Sequence, residues 1–129
     1  MKTKYTMALT LLAGVAIGAI AVQGLHAQGA KLKAYAIAEE EPLDTSALNP
    51  SLPGIREAIL QHHGKSLRTL GGRVVQIEGS APPKIVALIE WDSVDDALAF
   101  YKSDAWKASQ PQRDKAFKVI RRYVVETEK

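Results

Sequence analysis

The chain has 129 residues, 17 Lys and Arg against 14 Asp and Glu, and no cysteine. The missing thiol excludes disulfides, thiolate chemistry, Cys-ligated zinc and acylation at a cleavage-site cysteine. A nucleic-acid binder would concentrate basic residues on one face, and Arg121-Arg122 alone does not do so.

Residues 1–27 read as a targeting segment rather than as part of the fold. Lys2 and Lys4 precede an uncharged apolar run, residues 7–22, and residues 23–27 offer a cleavage region before Gln28. The run is roughly 16 residues, long for a signal core and short for a membrane-spanning helix. The expectation is a signal peptide and export to the periplasm or the extracellular space. The alternative is an uncleaved anchor through residues 7–22, which would tether the protein to a membrane. No twin arginine precedes the run, which favours the general secretory route. Without Lys2 and Lys4 the balance falls to 15 basic against 14 acidic residues, so the basic character belongs partly to the targeting segment. Residues 28–129 then form a single domain of about 100 residues, enough for a modest core without staples.

Lys33 to Glu39 alternates Tyr35, Ile37 and Glu39 with Ala34, Ala36 and Ala38, the pattern of a strand with one large and one small face. Glu39-Glu40-Glu41 reads as its solvated end, and residues 40–53, with three prolines, as a loop. A helix beginning near Leu52 to Gly54 carries Ile55, Ala58, Ile59 and His62 on one stripe. Gly64 would cost that helix about 1 kcal/mol relative to Ala, or end it and leave residues 65–70 as a second helical turn. The glycine pair at 71–72 stops whatever precedes it. Residues 73–78 (RVVQIE) are predicted as a strand, residues 79–83 (GSAPP) as a turn, and residues 84–91 (KIVALIEW) as another strand. Ser93 with Asp96 resembles a capping box, opening a helix with Val94, Ala97, Leu98 and Tyr101 inward and Asp95, Asp96 and Lys102 outward. A short helix over residues 107–117 and a strand over residues 118–126 complete the order β-α-β-β-α-β. The predicted class is therefore α+β, ferredoxin-like. In the strand from Lys84, Ile85, Ala87 and Ile89 share one face while Val86 and Leu88 share the other. A strand apolar on both faces needs cover on both, and helices cover only one, so a homodimer with facing sheets is expected.

Several pieces resemble the domain-of-unknown-function 1330 family: Ala34 to Glu39, Gly71 to Arg73, the strand ending Ile89-Glu90-Trp91, Ala97 to Trp106, and Pro111-Gln112-Arg113. The chain departs from the family's habit at Gly79 to Pro83 and in having Trp106 where a Tyr is usual. The resemblance spans nearly everything after residue 33. It implies a small ferredoxin-like domain forming a dimeric α/β barrel, and it carries no agreed activity.

The chemical candidates are few. His62, Glu39 and Glu90 are the weak acid–base candidates; adjacent helical residues point about 100° apart, so His62 and His63 do not chelate one ion readily. No metal and no cofactor are expected. Arg73 and Arg113 match family arginines. Each serves either as a salt bridge or carbonyl clamp, or as a two-pronged receptor for an anionic small molecule. With Tyr35, Tyr101 and Trp106 they are the candidate ligand-binding residues, and an inward Tyr35 or Glu39 beside Arg113 would build a pocket. Of Arg121 and Arg122, on a strand, one must turn inward or to a dimer face. Serine nucleophile motifs and phosphate-cradling glycine loops are missing. Three functions compete: a small-molecule-binding or accessory homodimer, a cofactor-independent monooxygenase- or isomerase-like enzyme on a small aromatic or carbonyl compound, and a membrane-tethered structural domain.

Overall fold

A computed structural model of the protein describes residues 31–129. The targeting segment or anchor proposed for residues 1–27 lies outside them. Among the described residues no helix is long and apolar enough to cross a membrane.

Strand β1 (Ala34–Pro42) leads through a 3-10 helix (Thr45–Ser51) to α1 (Leu52–Gln61). A three-residue β2 (Gly64–Ser66) and then β3 (Ile85–Trp91) follow. Helices α2 (Val94–Lys102), α3 (Asp104–Ala108) and α4 (Gln110–Ala116) lead into β4 (Phe117–Glu126). The four strands make an antiparallel sheet in the order β2-β3-β1-β4, the ferredoxin-like arrangement of a β-α-β-β-α-β chain.

Strand parity sorts the side chains. Register pairs Ala34 with Trp91, Ala36 with Ile89 and Ala38 with Ala87, all on the helix-covered face. Three alanines leave room there for Trp91 and for Phe100 of α2, both fully buried, with ring centroids 5.0 Å apart. The opposite face carries Tyr35, Ile37 and Glu39 beside Glu90, Leu88 and Val86, and beside Val125, Tyr123 and Arg121. Among the described residues no element covers that face. Between Glu39 and Glu40 the β1–β4 register slips, because Ile120 is an extra residue on β4.

Three predicted elements and one predicted core residue are corrected. Residues 73–78 are not a strand: they run irregularly, with Val75 64% and Ile77 90% exposed. The edge of β3 is already taken by β2, by the Leu67 amide on the Leu88 carbonyl, and by Thr69, whose hydroxyl donates to the Val86 carbonyl. Residues 65–70 are not a helical turn, since α1 stops at Gln61 and His63 takes φ 61. Gly64 then lies so close to Trp91 that a Cβ would meet its ring at 2.5 Å, and only glycine fits. Residues 40–53 are not all loop: β1 runs to Pro42 and a 3-10 helix follows. The predicted inward Leu98 is 44% exposed, and Phe100 fills the core in its place.

Helix α2 opens as predicted. Ser93 accepts a hydrogen bond from the Asp96 amide at 3.1 Å, and its hydroxyl donates to Asp96 Oδ2 at 2.7 Å. The shorter aspartate meets the hydroxyl of the cap where a Glu would reach the backbone.

Candidate functional site

The polar residues gather at the β4 end of the helix-covered face. Pro111 in the first turn of α4 presets its backbone, and the helix turns Arg113 inward, leaving it only 8% exposed. Arg113 Nε donates to Ser109 Oγ at 2.9 Å, and Nη2 donates to the Trp106 carbonyl at 3.2 Å and to Gln110 Oε1 at 2.8 Å. Its guanidinium carbon stacks 3.6 Å from the centre of the Trp106 ring. Arg122 of β4 approaches the same ring at 5.0 Å and pairs with Glu40 of β1 at 2.6 Å. Tyr101 packs edge-on against Trp106, centroids 5.1 Å apart at 83°, and burial pushes its phenol pKa up. Burial, then the neighbouring charge of Arg122, lowers the pKa of Arg113.

Both arginines line an open cleft of about 530 Å³ between α4 and β4. Leu43, Phe117 and Val119 give it apolar walls, while Gln110, Asp114 and Lys118 complete the lining. Trp106 and Glu40 contact the arginines without lining the cleft.

Three of the five predicted binding residues, Tyr101, Trp106 and Arg113, therefore come together, and two do not. Tyr35 lies on the opposite face of the sheet, its hydroxyl donating to Glu90 Oε2 at 3.2 Å. Glu39 lies on that face too, bonded to Arg121 at 2.8 Å. Neither can build a pocket with Arg113, because strand alternation sends both side chains away from the helices. Arg73 is exposed in the irregular segment and makes no ion pair among the described residues.

The acid–base candidates are scattered. His62 caps the end of α1, half-buried, its ring edge-on to Phe100 at 6.5 Å. Hydrogen bonds from Lys33 and then Tyr35 hold the Glu90 carboxyl below the usual carboxylate range, which makes it a weaker base. None of His62, Glu39 and Glu90 lines the cleft.

Glu40 is a site residue that sequence reasoning passes over, and Arg122 is the inward member of the pair of which one was expected to turn inward. The acidic triplet is not a solvated strand end: Glu39 is 9% and Glu40 4% exposed, each paired with an arginine of β4. The signal was the parity of Glu40 with Ala34, Ala36 and Ala38, together with an Arg-Arg pair on the other long strand.

The architecture defines a ferredoxin-like α+β domain. Residues 33–127 match the family described as Domain of unknown function (DUF1330), and the chain belongs to that family. No curated protein matches the chain. Among solved structures it is similar to RPA0582 of Rhodopseudomonas palustris, a protein of unknown function, with TM-score 0.60 and 12% identity over 84% of this chain and 92% of that one. It is also similar to SnoaB, a cofactor-independent oxygenase from Streptomyces nogalater, with TM-score 0.47 and 6% identity over 78% and 96%. A dimeric ferredoxin-like protein of unknown function from Bacteroides fragilis has TM-score 0.37 and 11% identity over 74% and 95%.

Proposed function

We propose that this domain is an exported small-molecule-binding or accessory protein that works as a homodimer, the sheets of two copies facing each other. The observation that supports it is apolar surface left in two places on the same protomer. Tyr123 and Val125 are 43% and 48% exposed on the open sheet face, and Val75 and Ile77 stand out from the segment after β2. Burying such surface stabilises a complex at roughly 25 cal/mol per Å², and a second copy supplies a matching surface. Binding needs only the cleft, and the scattered positions of His62, Glu39 and Glu90 offer no organised proton transfer.

Light scattering on the full chain tests the dimer. Twice the protomer mass is expected, with Tyr123→Glu returning it to the protomer mass; a wild-type protomer mass at millimolar protein would refute the pairing. Export is checked by N-terminal sequencing of the protein recovered outside the cytoplasm, where Gln28 should come first. An intact Met1 in the membrane fraction would instead mean an anchor.

A further inference from the structure

The cleft between α4 and β4 carries an unbalanced charge. Arg113 is largely buried, yet its hydrogen bonds all go to neutral acceptors: a hydroxyl, a carbonyl and an amide oxygen. Among the described residues no carboxylate lies within salt-bridge distance of it, Glu40 being engaged by Arg122. Arg113 Nη1 has no protein acceptor there, and it is not among the enclosed unpaired atoms, so it keeps contact with solvent. Among the described residues Arg122 bonds through Nη2 alone. Counting Arg113, Arg122 and Lys118 against Glu40 and Asp114 leaves one positive charge over. A buried cation without a counter-ion is costly, and an anion seated in the cleft removes that cost. Guanidinium donors suit a planar carboxylate, while Leu43, Phe117 and Val119 offer an apolar surface beside them. A volume of about 530 Å³ lies within the range of small-molecule sites.

We infer that the cleft binds a small organic monocarboxylate, its carboxylate on Arg113 and Arg122 and its apolar body against Phe117 and Val119. This rests on the small-molecule-binding reading and specifies its ligand class. Aromatic and aliphatic acids share the required chemistry, and a dianion would exceed the single surplus charge.

The test is calorimetric titration of the full chain with benzoate and with its neutral isostere benzamide, in the wild type, Val119→Glu and Val119→Trp. Val119 is 40% exposed, so both substitutions are compatible with folding, which circular dichroism verifies. Benzoate should bind roughly tenfold or more tightly than benzamide, the usual return on charge-assisted bonds. Val119→Glu should weaken benzoate at least tenfold by like-charge repulsion and spare benzamide more, while Val119→Trp should exclude both. Equal affinity for the two probes, lost together in Val119→Trp, would overturn the carboxylate assignment and leave small-molecule binding standing. Benzoate binding untouched by either variant would overturn the cleft as its site. Absence of binding by both probes at millimolar concentration would overturn the carboxylate assignment.

Discussion

The two faces of the sheet use the same residue types for different ends. On the helix-covered face three alanines make space, Trp91 and Phe100 fill it, and one ion pair, Arg122 with Glu40, lies beside the Trp106 ring. On the open face larger residues alternate with ion pairs whose cations stay near water, Arg121 with Glu39 and Lys33 with Glu90. Arg121 and Arg122 are chain neighbours on one strand, yet Arg121 is 67% exposed at its side chain and Arg122 only 22%. One pleat separates a cation left in solvent from one that helps shape a cleft. A surface pair adds on the order of 0–1 kcal/mol, whereas losing one partner of a buried pair costs several.

Substitutions that separate the faces should fall in a definite order. Phe100→Ala removes the ring that meets Trp91, Tyr101 and Trp106, and should cost about 3–5 kcal/mol in urea unfolding. A loss below about 1 kcal/mol would mean that the covered face is not where stability resides. Gly64→Ala drives a methyl into the Trp91 ring and should cost about 1–3 kcal/mol, with a changed near-ultraviolet signal from the displaced indole. Ser93→Ala removes the α2 cap and should cost about 1 kcal/mol, with Ser93→Thr largely restoring it.

A smaller effect concerns acid. The Ser93 hydroxyl, and after it His63, holds Asp96 below the ordinary aspartate range. A depressed folded-state pKa adds stability that is complete above the unfolded value and vanishes as pH drops through the folded one. Thermal melts should therefore decline from about pH 4 downward, and Asp96→Asn should flatten that decline. Least affected should be the unfolding free energy of a Tyr123→Glu protomer, within about 0.5 kcal/mol of wild type when both are diluted to monomers. A large change there would show that the open face stabilises the single protomer.

Long strands and a capped helix were legible because their signals are local. The alternation from Ala34 to Ala38, the two-sided run from Ile85 to Ile89, and Ser93 ahead of Asp96 each state their geometry within a few residues. The 73–78 segment misled because β-branched composition reports suitability for a sheet and not the presence of a free edge. Gly64 misled for a related reason: its meaning is the Trp91 ring, 27 positions away in sequence. Within the candidate site, Tyr101, Trp106 and Arg113 could be nominated by residue type, but Tyr35 and Glu39 required a decision about which way β1 faces.

The sequence by itself determined the family, the three long strands and the alternation along each of them, since these depend on neighbours within a turn or a pleat. Tertiary structure alone decided which face met the helices, which of two adjacent arginines turned inward, and that Glu40 was buried rather than solvated. Those outcomes depend on strand register and on a one-residue bulge at Ile120, and register is settled only when distant segments pack.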